Sequence, residues 1–476
     1  MATEKLKLNV KRTLLIGFAF FGILLLWQVY DSWCPTFLTD IFARRMYGLS
    51  SSQLSASNQP DKLLRVQWIV GIIMACDNLA ALILLPVFGK LSDRTNTKIG
   101  KRMPYILTGT FVSAVAFPFI PFFFHSNNIG MMIVTMATVL VFMMMYRNPA
   151  VSLMPDITPK PLRSKGNGII NVVGYFGGAA ATVLGIFYKL SDYINVADSQ
   201  RKLATVELPF IVASALMVVT ALILFFSINE NKIKEEIKEE MMLGEKLSEV
   251  KVEDSGQAMS KENKIMLYSL LIAEFLWFMG DNALTTYIGN YVIYFLKSSS
   301  SGTMYLIILG GLGSVIGFCT AGNIADKVGR KKTVSTGLLI TLVAYVFMIF
   351  IKPSLNITGA NGEHSFPVFL YLIYLVKGYG MALVFNCSYP MVLELCSSDK
   401  IGQFTGYYYA ASMSAQTITP ILLGFVLTKT LAWNTLPAYS TIMIALSSCV
   451  FILLVKNNRN EKIKNPKGLN ALADAD

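Results

Sequence analysis

The chain has 476 residues, of which 54% are apolar and 15% charged, with 41 Lys and Arg against 29 Asp and Glu. An ordinary soluble domain carries about 25% charged residues, so a set of water-soluble domains is excluded and lipid becomes the natural solvent for this surplus of apolar side chains. Six scattered Cys exclude a disulfide scaffold, two His leave no material for a His-based metal site, and the net charge of +12 sits in short clusters between apolar runs, as in loops of a membrane protein rather than a nucleic-acid surface.

Twelve apolar segments follow in chain order, at 13–38, 66–91, 104–124, 129–149, 167–188, 207–228, 265–296, 303–325, 333–351, 366–389, 403–428 and 434–455. Each is long enough for a spanning helix. The first follows Lys5, Lys7, Lys11 and Arg12 but is too long for a signal peptide and lacks a small-residue cleavage site, so it reads as a retained helix. Between the sixth and seventh lies a run of alternating Lys and Glu, at 229–262, which is either a solvated linker or an amphipathic surface helix. The expected organisation is therefore all-α: a six-helix half at 1–228, a linker at 229–262, and a six-helix half with a tail at 263–476.

Basic residues assign the sides. With the N-terminus inside, inner segments hold 29 Lys and Arg and outer loops 10. That bias predicts both termini and the linker in the cytoplasm of a multi-pass plasma-membrane protein.

The halves echo one another. Gly89-Lys-Leu-Ser-Asp93-Arg94, then Gly100-Lys101-Arg102, is matched 233 residues on by Gly322-Asn-Ile-Ala-Asp326-Lys327, then Gly329-Arg330. Pro155-Asp156 with Lys165 is matched by Pro390 with Lys400, and Trp27-x-x-x-Asp31 by Trp277-x-x-x-Asp281. In these loops Asp93 and Asp326 can cap helices of the opposite half. Arg94, Lys101 and Arg102 can pair with Asp156, and Lys327 and Arg330 with Glu394, as a clasp that gates the inner face. The alternative for the trailing basic residues is plain inside-positive topology.

Duplicated G-x-x-x-D-[RK] loops between two six-helix halves resemble the major facilitator superfamily, over essentially the whole chain. Asp77-Asn78, Pro86, Gly89, Ser92-Asp93-Arg94-Thr95, Gly100-Lys101-Arg102-Met103-Pro104, Met154-Pro155-Asp156 and Asn167-Gly168-x-x-Asn171 are similar to the glycoside–pentoside–hexuronide:cation symporters, nearest the sucrose/maltose proton symporter branch. The resemblance implies two pseudo-symmetric halves, a small-molecule site at the bilayer midplane, and uptake of a sugar or glycoside by a monomer. No enzyme chemistry or cofactor is implied. One departure bears on the ion: the melibiose-permease type has cation-binding carboxylates where this chain has Ala81 and Leu85, which favours protons over sodium. An exporter or lysolipid carrier of the same fold, and a non-transporting sensor, are the rival readings.

Ionisable residues inside apolar spans default to functional candidates. Asp281, Asp77 and Glu274 are candidates to carry the coupling proton. Trp27, Gln28, Asp31, Asn171, Trp277, Asn282, Asn386 and Gln416 are candidate substrate contacts, because aromatic faces suit sugar C–H surfaces and amides or carboxylates satisfy hydroxyls. The Trp27/Asp31 and Trp277/Asp281 pairs, each four residues apart on a helix, are expected to face the cavity from the two halves. Arg147 either snorkels or joins the clasp, and Lys377 either pairs with a carboxylate or meets substrate. Glycine runs at Gly174–Gly178 and Gly310–Gly317 mark close helix packing, static or at the moving contact of helices 5 and 8.

Overall fold

The computed structural model describes residues 7–56, 59–159, 162–248, 261–357, 363–393, 395 and 401–455. Twelve long helices are found among them: α1 Val10–Tyr47, α2 Gln67–Arg94, α3 Met103–Ala116 (continued by Phe119–His125), α4 Ile129–Asp156, α5 Arg163–Phe187 and α6 Leu203–Ser227. Then come α7 Lys261–Asn290, α8 Ser300–Val328, α9 Arg330–Ile349, α10 Phe369–Leu393, α11 Ile401–Thr430 and α12 Thr435–Leu454. Each of the twelve apolar segments became a helix.

Eleven of these helices are long and apolar enough to cross a membrane. The exception is α7, which is long enough but spends apolar positions on Glu274, Asp281, Asn282, Thr285 and Thr286. Phe187, Phe226 and Leu453 stand outward at 77%, 79% and 77% exposure, an arrangement that water would penalise and lipid accepts.

α1 runs nine residues beyond its apolar segment. Polar pairing holds that end: buried Asp40 accepts from Ser51 N at 2.8 Å, Arg44 Nε at 2.9 Å and Arg201 Nη1 at 2.8 Å. Gly48 then stops the helix with φ +70°, the left-handed conformation that glycine adopts without strain.

In the first half α1 packs on α5 and α6, and α4 on α2 and α3. In the second, α10 lies between α8 and α9, and α7 packs on α12 and α11. Among the described residues the halves meet chiefly where α2 packs on α11, α5 on α8, and α1 on α7.

The glycine runs belong mostly to packing inside each half. A Cβ on Gly177 of α5 would lie 2.1 Å from the carbonyl oxygen of Phe21 in α1, and one on Gly313 of α8 would lie 2.0 Å from that of Leu375 in α10. Gly178 and Gly311 meet nothing within 4 Å. Helices 5 and 8 touch instead near their other ends, where Gly185 meets Met304 and Ser191 N donates to Ser300 Oγ at 3.1 Å. Gly177→Ala is therefore expected to destabilise the first half by about 1–3 kcal/mol, the usual cost of overpacking. A lowered thermal midpoint in detergent checks this; an unchanged midpoint contradicts it.

The start of the linker is fixed to the first half. Short helices at Glu230–Glu236 and Lys238–Ser248 follow α6. Glu230 is fully buried, accepts Arg102 N at 3.0 Å, and pairs with Lys234 Nζ at 2.5 Å. Asn231 Nδ2 donates to the carbonyls of Thr97 and Lys98 at 3.0 and 3.2 Å. Gly100, at φ +103°, lies so near Glu230 that no side chain fits there.

Candidate functional site

Two adjoining cavities lie where the halves face each other. The larger, about 440 Å³, takes Gln28, Asp31 and Tyr175 from the first half and Asp281, Tyr374 and Lys377 from the second. The smaller, about 240 Å³, takes Trp27, Asp77 and Arg147 from the first half and Asn282 and Gln416 from the second. Asp31, Thr285 and Thr286 line both, so the two form one continuous site.

Proline helps to open backbone acceptors here. Pro35, in the wall of the larger cavity, has no N–H for the carbonyl of Asp31 one turn earlier. Pro420 does the same for Gln416, whose freed carbonyl accepts Asn78 Nδ2 at 3.5 Å.

The charges fall into two sets. In the second half, Lys377 Nζ lies 2.5 Å from Asp281 Oδ1, with side chains 15% and 20% exposed. Tyr345 donates to the same carboxylate at 3.1 Å, and the ammonium sits 5.6 Å from the centre of the Tyr374 ring. In the first half, Arg147 shares the smaller cavity with Asp31 and Asp77 and interacts electrostatically with both. Asp77 also accepts Asn78 N and Nδ2 at 2.5 and 2.9 Å.

Among the described residues, hydrogen bonds between the halves gather beyond the larger cavity, at the end where α1 finishes and α2 begins. Thr36 Oγ1 donates to Asn290 Oδ1 at 2.9 Å, and Asn290 Nδ2 donates to Thr39 Oγ1 at 2.9 Å and to Gln67 Oε1 at 3.3 Å. Tyr287 OH lies 3.4 Å from the Gln67 carbonyl across the halves and donates to the Pro420 carbonyl of its own half at 2.8 Å. Backbones of α2 and α11 nearly touch, since a Cβ on Gly71 would lie 2.0 Å from the Pro420 oxygen. This is the sealed end of the molecule.

The opposite, basic end shows a different pattern. Arg102 bridges Asp93 at 2.5 Å and Asp156 at 2.8 Å, while Lys101 reaches Asp156 at 3.1 Å. All four residues belong to the first half. Burial works against the Arg102 charge, but the bonds to Asp156 and Asp93 prevail and its pKa lies above the usual guanidinium value. Arg94 and Lys327 are exposed, and Arg330 is half-buried. The side chain of Asp326, and Glu394, lie outside the described residues. In this conformation Asp93 is 58% exposed and bridges its own half instead of capping a helix of the other. Asp93→Asn is expected to slow turnover several-fold and leave apparent affinity nearly unchanged, because it changes the balance of conformations and not the cavity. Initial uptake rates against substrate concentration check this; normal turnover with lost affinity contradicts it.

Of the candidate substrate contacts, Trp27, Gln28, Asp31, Asn282 and Gln416 line the cavities. Asn171 is half-buried on α5 and Asn386 exposed on α10, and neither is in the lining. The expectation that both Trp/Asp pairs face the cavity meets a difference. Asp281 does, but Trp277, one turn nearer the basic end, is fully buried in the packing of the second half. Of the proton candidates, Asp77 and Asp281 line the cavities, whereas Glu274 is buried away from them.

Sequence reading missed Thr285, Thr286, Ser314 and Tyr374 in the lining and the whole sealed-end network. A signal existed for Thr285, which stands four residues after Asp281 on the same helical face.

The chain matches the family described as MFS/sugar transport protein over residues 15–417. It is 25% identical over 260 residues to the General alpha-glucoside permease of Schizosaccharomyces pombe, covering 50% of this chain and 44% of that protein. It is 22% identical over 194 residues to an uncharacterized MFS-type transporter, YceJ, of Bacillus subtilis, covering 40% of this chain and 46% of that one. The matched regions thus span less than half the length of these relatives. Among solved structures it is similar to the inward open conformation of the xylose transporter XylE from E. coli, with a TM-score of 0.64 at 14% identity over 97% of this chain and 98% of that one. A bacterial homologue of the iron transporter ferroportin in an inward-facing state gives 0.63 at 14% identity, over 95% of this chain and 100% of that one. The family match, the twelve helices and the cavity between two halves agree: the chain belongs to the MFS/sugar transport protein family.

Proposed function

We propose that this transporter takes up a sugar or glycoside by alternating access, driven by protons. The observation that carries the reading is the lining of the cavity: hydroxyls of Ser32, Thr36, Thr285, Thr286, Thr303 and Ser314, with Gln28 and Asp31, beside the rings of Tyr175 and Tyr374. Alternating donors and acceptors next to an aromatic face suit a polyol ring. A lysolipid carrier would want fewer polar groups than Gln28, Asp31, Asp281 and Lys377 bring to this lining. An exporter would share the cavity, and a non-transporting sensor would have lost either the inner loop motif or the buried carboxylates, both of which this chain keeps. The alpha-glucoside permease among the relatives supports a glycoside cargo.

The charge count supports proton coupling. Asp281 is balanced by Lys377, whereas among the described residues Asp31 and Asp77 share one cation, Arg147. One proton on that carboxylate pair makes the site neutral, and the absence of acidic residues at Ala81 and Leu85 argues against a sodium site of the melibiose-permease kind. The basic end lies in the cytoplasm of a plasma-membrane monomer in this reading, with both termini on that side.

Uptake of labelled mono- and disaccharides into cells or proteoliposomes, with imposed proton or sodium gradients, tests the whole reading. Accumulation of a saccharide that collapses with the proton gradient is expected. Accumulation that follows sodium, or none for any saccharide, overturns it.

A further inference from the structure

Glu274 has no use in the site just described, yet it is among the most confined groups in the molecule. Its side chain is fully buried, and among the described residues neither carboxyl oxygen has a hydrogen-bond partner. It lies on α7 seven residues before Asp281, so about 10 Å nearer the basic end at 1.5 Å per residue. Seven residues return to nearly the same helical face, and Glu274 sits below the cavity floor in line with Asp281.

No cation compensates it. The titratable groups that interact with it electrostatically are Tyr408 and Tyr409 of α11. Tyr408 OH is committed to Ser388 Oγ of α10 at 3.0 Å, and Ser447 of α12 donates to the Ala273 carbonyl at 2.8 Å. No Lys, Arg or His acts on it from these helices among the described residues. An isolated ionised carboxylate is among the costliest groups to bury, and in such places it takes up a proton.

We propose that Glu274 is a second proton-binding site of the transporter, separate from the cavity carboxylates, holding its proton in the conformation sealed beyond the cavity and exchanging it with water when the two halves rearrange. The role in coupling rests on the proton-driven reading above; the bound proton does not. Tyr408 and Tyr409 of α11 lie near enough to act on Glu274, and Tyr409 is 55% exposed. A shift of α11 against α7 is the movement that would admit water to the acid. Loading and unloading are then simple proton transfer between the carboxyl oxygen and water, with no other chemistry. Glu274 would carry its proton on α7 and the cavity pair Asp31 and Asp77 theirs on α1 and α2, so each can respond to the rearrangement independently.

Infrared spectroscopy on the reconstituted full-length protein tests the site without knowledge of the cargo. A neutral carboxylic acid has a C=O stretch distinct from that of a carboxylate. A protonated-acid band is expected to persist in buffer well above the ordinary carboxylate range, and to vanish in Glu274→Gln but not in Asp77→Asn. Gln has nearly the shape of the protonated acid, so the fold is expected to survive; Glu274→Met serves if it does not. Spectra of wild type and both variants that are identical in this region overturn the proposal. The coupling role is read by maltose and methyl-α-glucoside. Glu274→Gln is expected to exchange either sugar across the membrane while failing to accumulate it, with the pH dependence of uptake flattened. A lost band with accumulation and pH profile intact makes Glu274 a fixed buried acid and overturns the coupling role. If wild type shows no proton dependence with either sugar while the band still depends on Glu274, the proton-driven reading fails and the proton site stands.

Discussion

Asp281→Asn is expected to lower saccharide accumulation by about 100-fold, and adding Lys377→Met to it to restore at least about tenfold. The two side chains meet at 2.5 Å, mostly shielded from water. Removing one partner leaves the other as an uncompensated charge, which costs about 3–5 kcal/mol in a buried pair, and each ~1.4 kcal/mol is tenfold in an equilibrium. Removing both leaves no stranded charge, so the effects must be strongly non-additive, as for residues in direct contact. Lys377→Met alone should be as damaging as Asp281→Asn, because among the described residues Asp281 then keeps the Tyr345 hydroxyl and no cation. Uptake by the two single variants and the double variant, at equal surface expression, decides the matter. If the double is no better than the worse single, the residues act separately on substrate and the pair is not a unit.

Asn290→Ala is expected to open the sealed end. The side chain is fully buried and makes three hydrogen bonds across the halves, to Thr36, Thr39 and Gln67. Alanine strands the Gln67 oxygen and the Thr36 hydroxyl in the sealed conformation, at about 1–3 kcal/mol for each unsatisfied buried group. Once the end opens, water satisfies the same groups. The penalty therefore falls on one conformation only and becomes a population shift of roughly tenfold or more. A cysteine at Ser32, in the wall of the larger cavity, reports it in a Cys-free background. An impermeant maleimide added on the sealed side should react with it several-fold faster in Asn290→Ala. An unchanged rate would mean that the network does not hold this end shut. Gly71→Ala should act in the same direction by steric means, because its Cβ would collide with the Pro420 carbonyl across the interface.

The helices were legible because each is a long apolar run punctuated by polar loops, and lipid enforces that pattern. Their ends were less so. The last turns of α1 are polar, and they are helical because Asp40 finds Arg201 from a loop more than 150 residues later, a contact no local pattern announces. The linker boundary had the same limitation: the residues after 228 look like a solvated charge run, yet Glu230 is buried against Arg102.

The site was legible where charge stood out against an apolar background. Asp31, Asp77 and Asp281 declared themselves by cost alone. Thr36, Thr39 and Gln67 did not, because hydroxyls and amides are cheap in a helix and acquire meaning only when Asn290 of the other half meets them. The echo of Trp27 in Trp277 was true of the sequence, but the cavity does not reach both. Repetition at that spacing carried the Asp to the lining and left the second Trp in the packing.

The two ends of the molecule differ in what bears their contacts. Neutral, buried amides and hydroxyls join the halves at the sealed end, whereas the groups available to a clasp at the basic end are ions, with Asp93 more than half exposed. Exposed charges attract over a Debye length of about 10 Å at 0.1 M salt, and less as salt rises; neutral hydrogen bonds are scarcely affected. Ionic strength on one side of the membrane is thus a handle on one gate alone. Added potassium chloride at the basic face should lengthen the dwell in the conformation open to that face, while the rate at which the sealed end parts stays constant. The carrier would then sense the electrolyte of one compartment and be indifferent to that of the other.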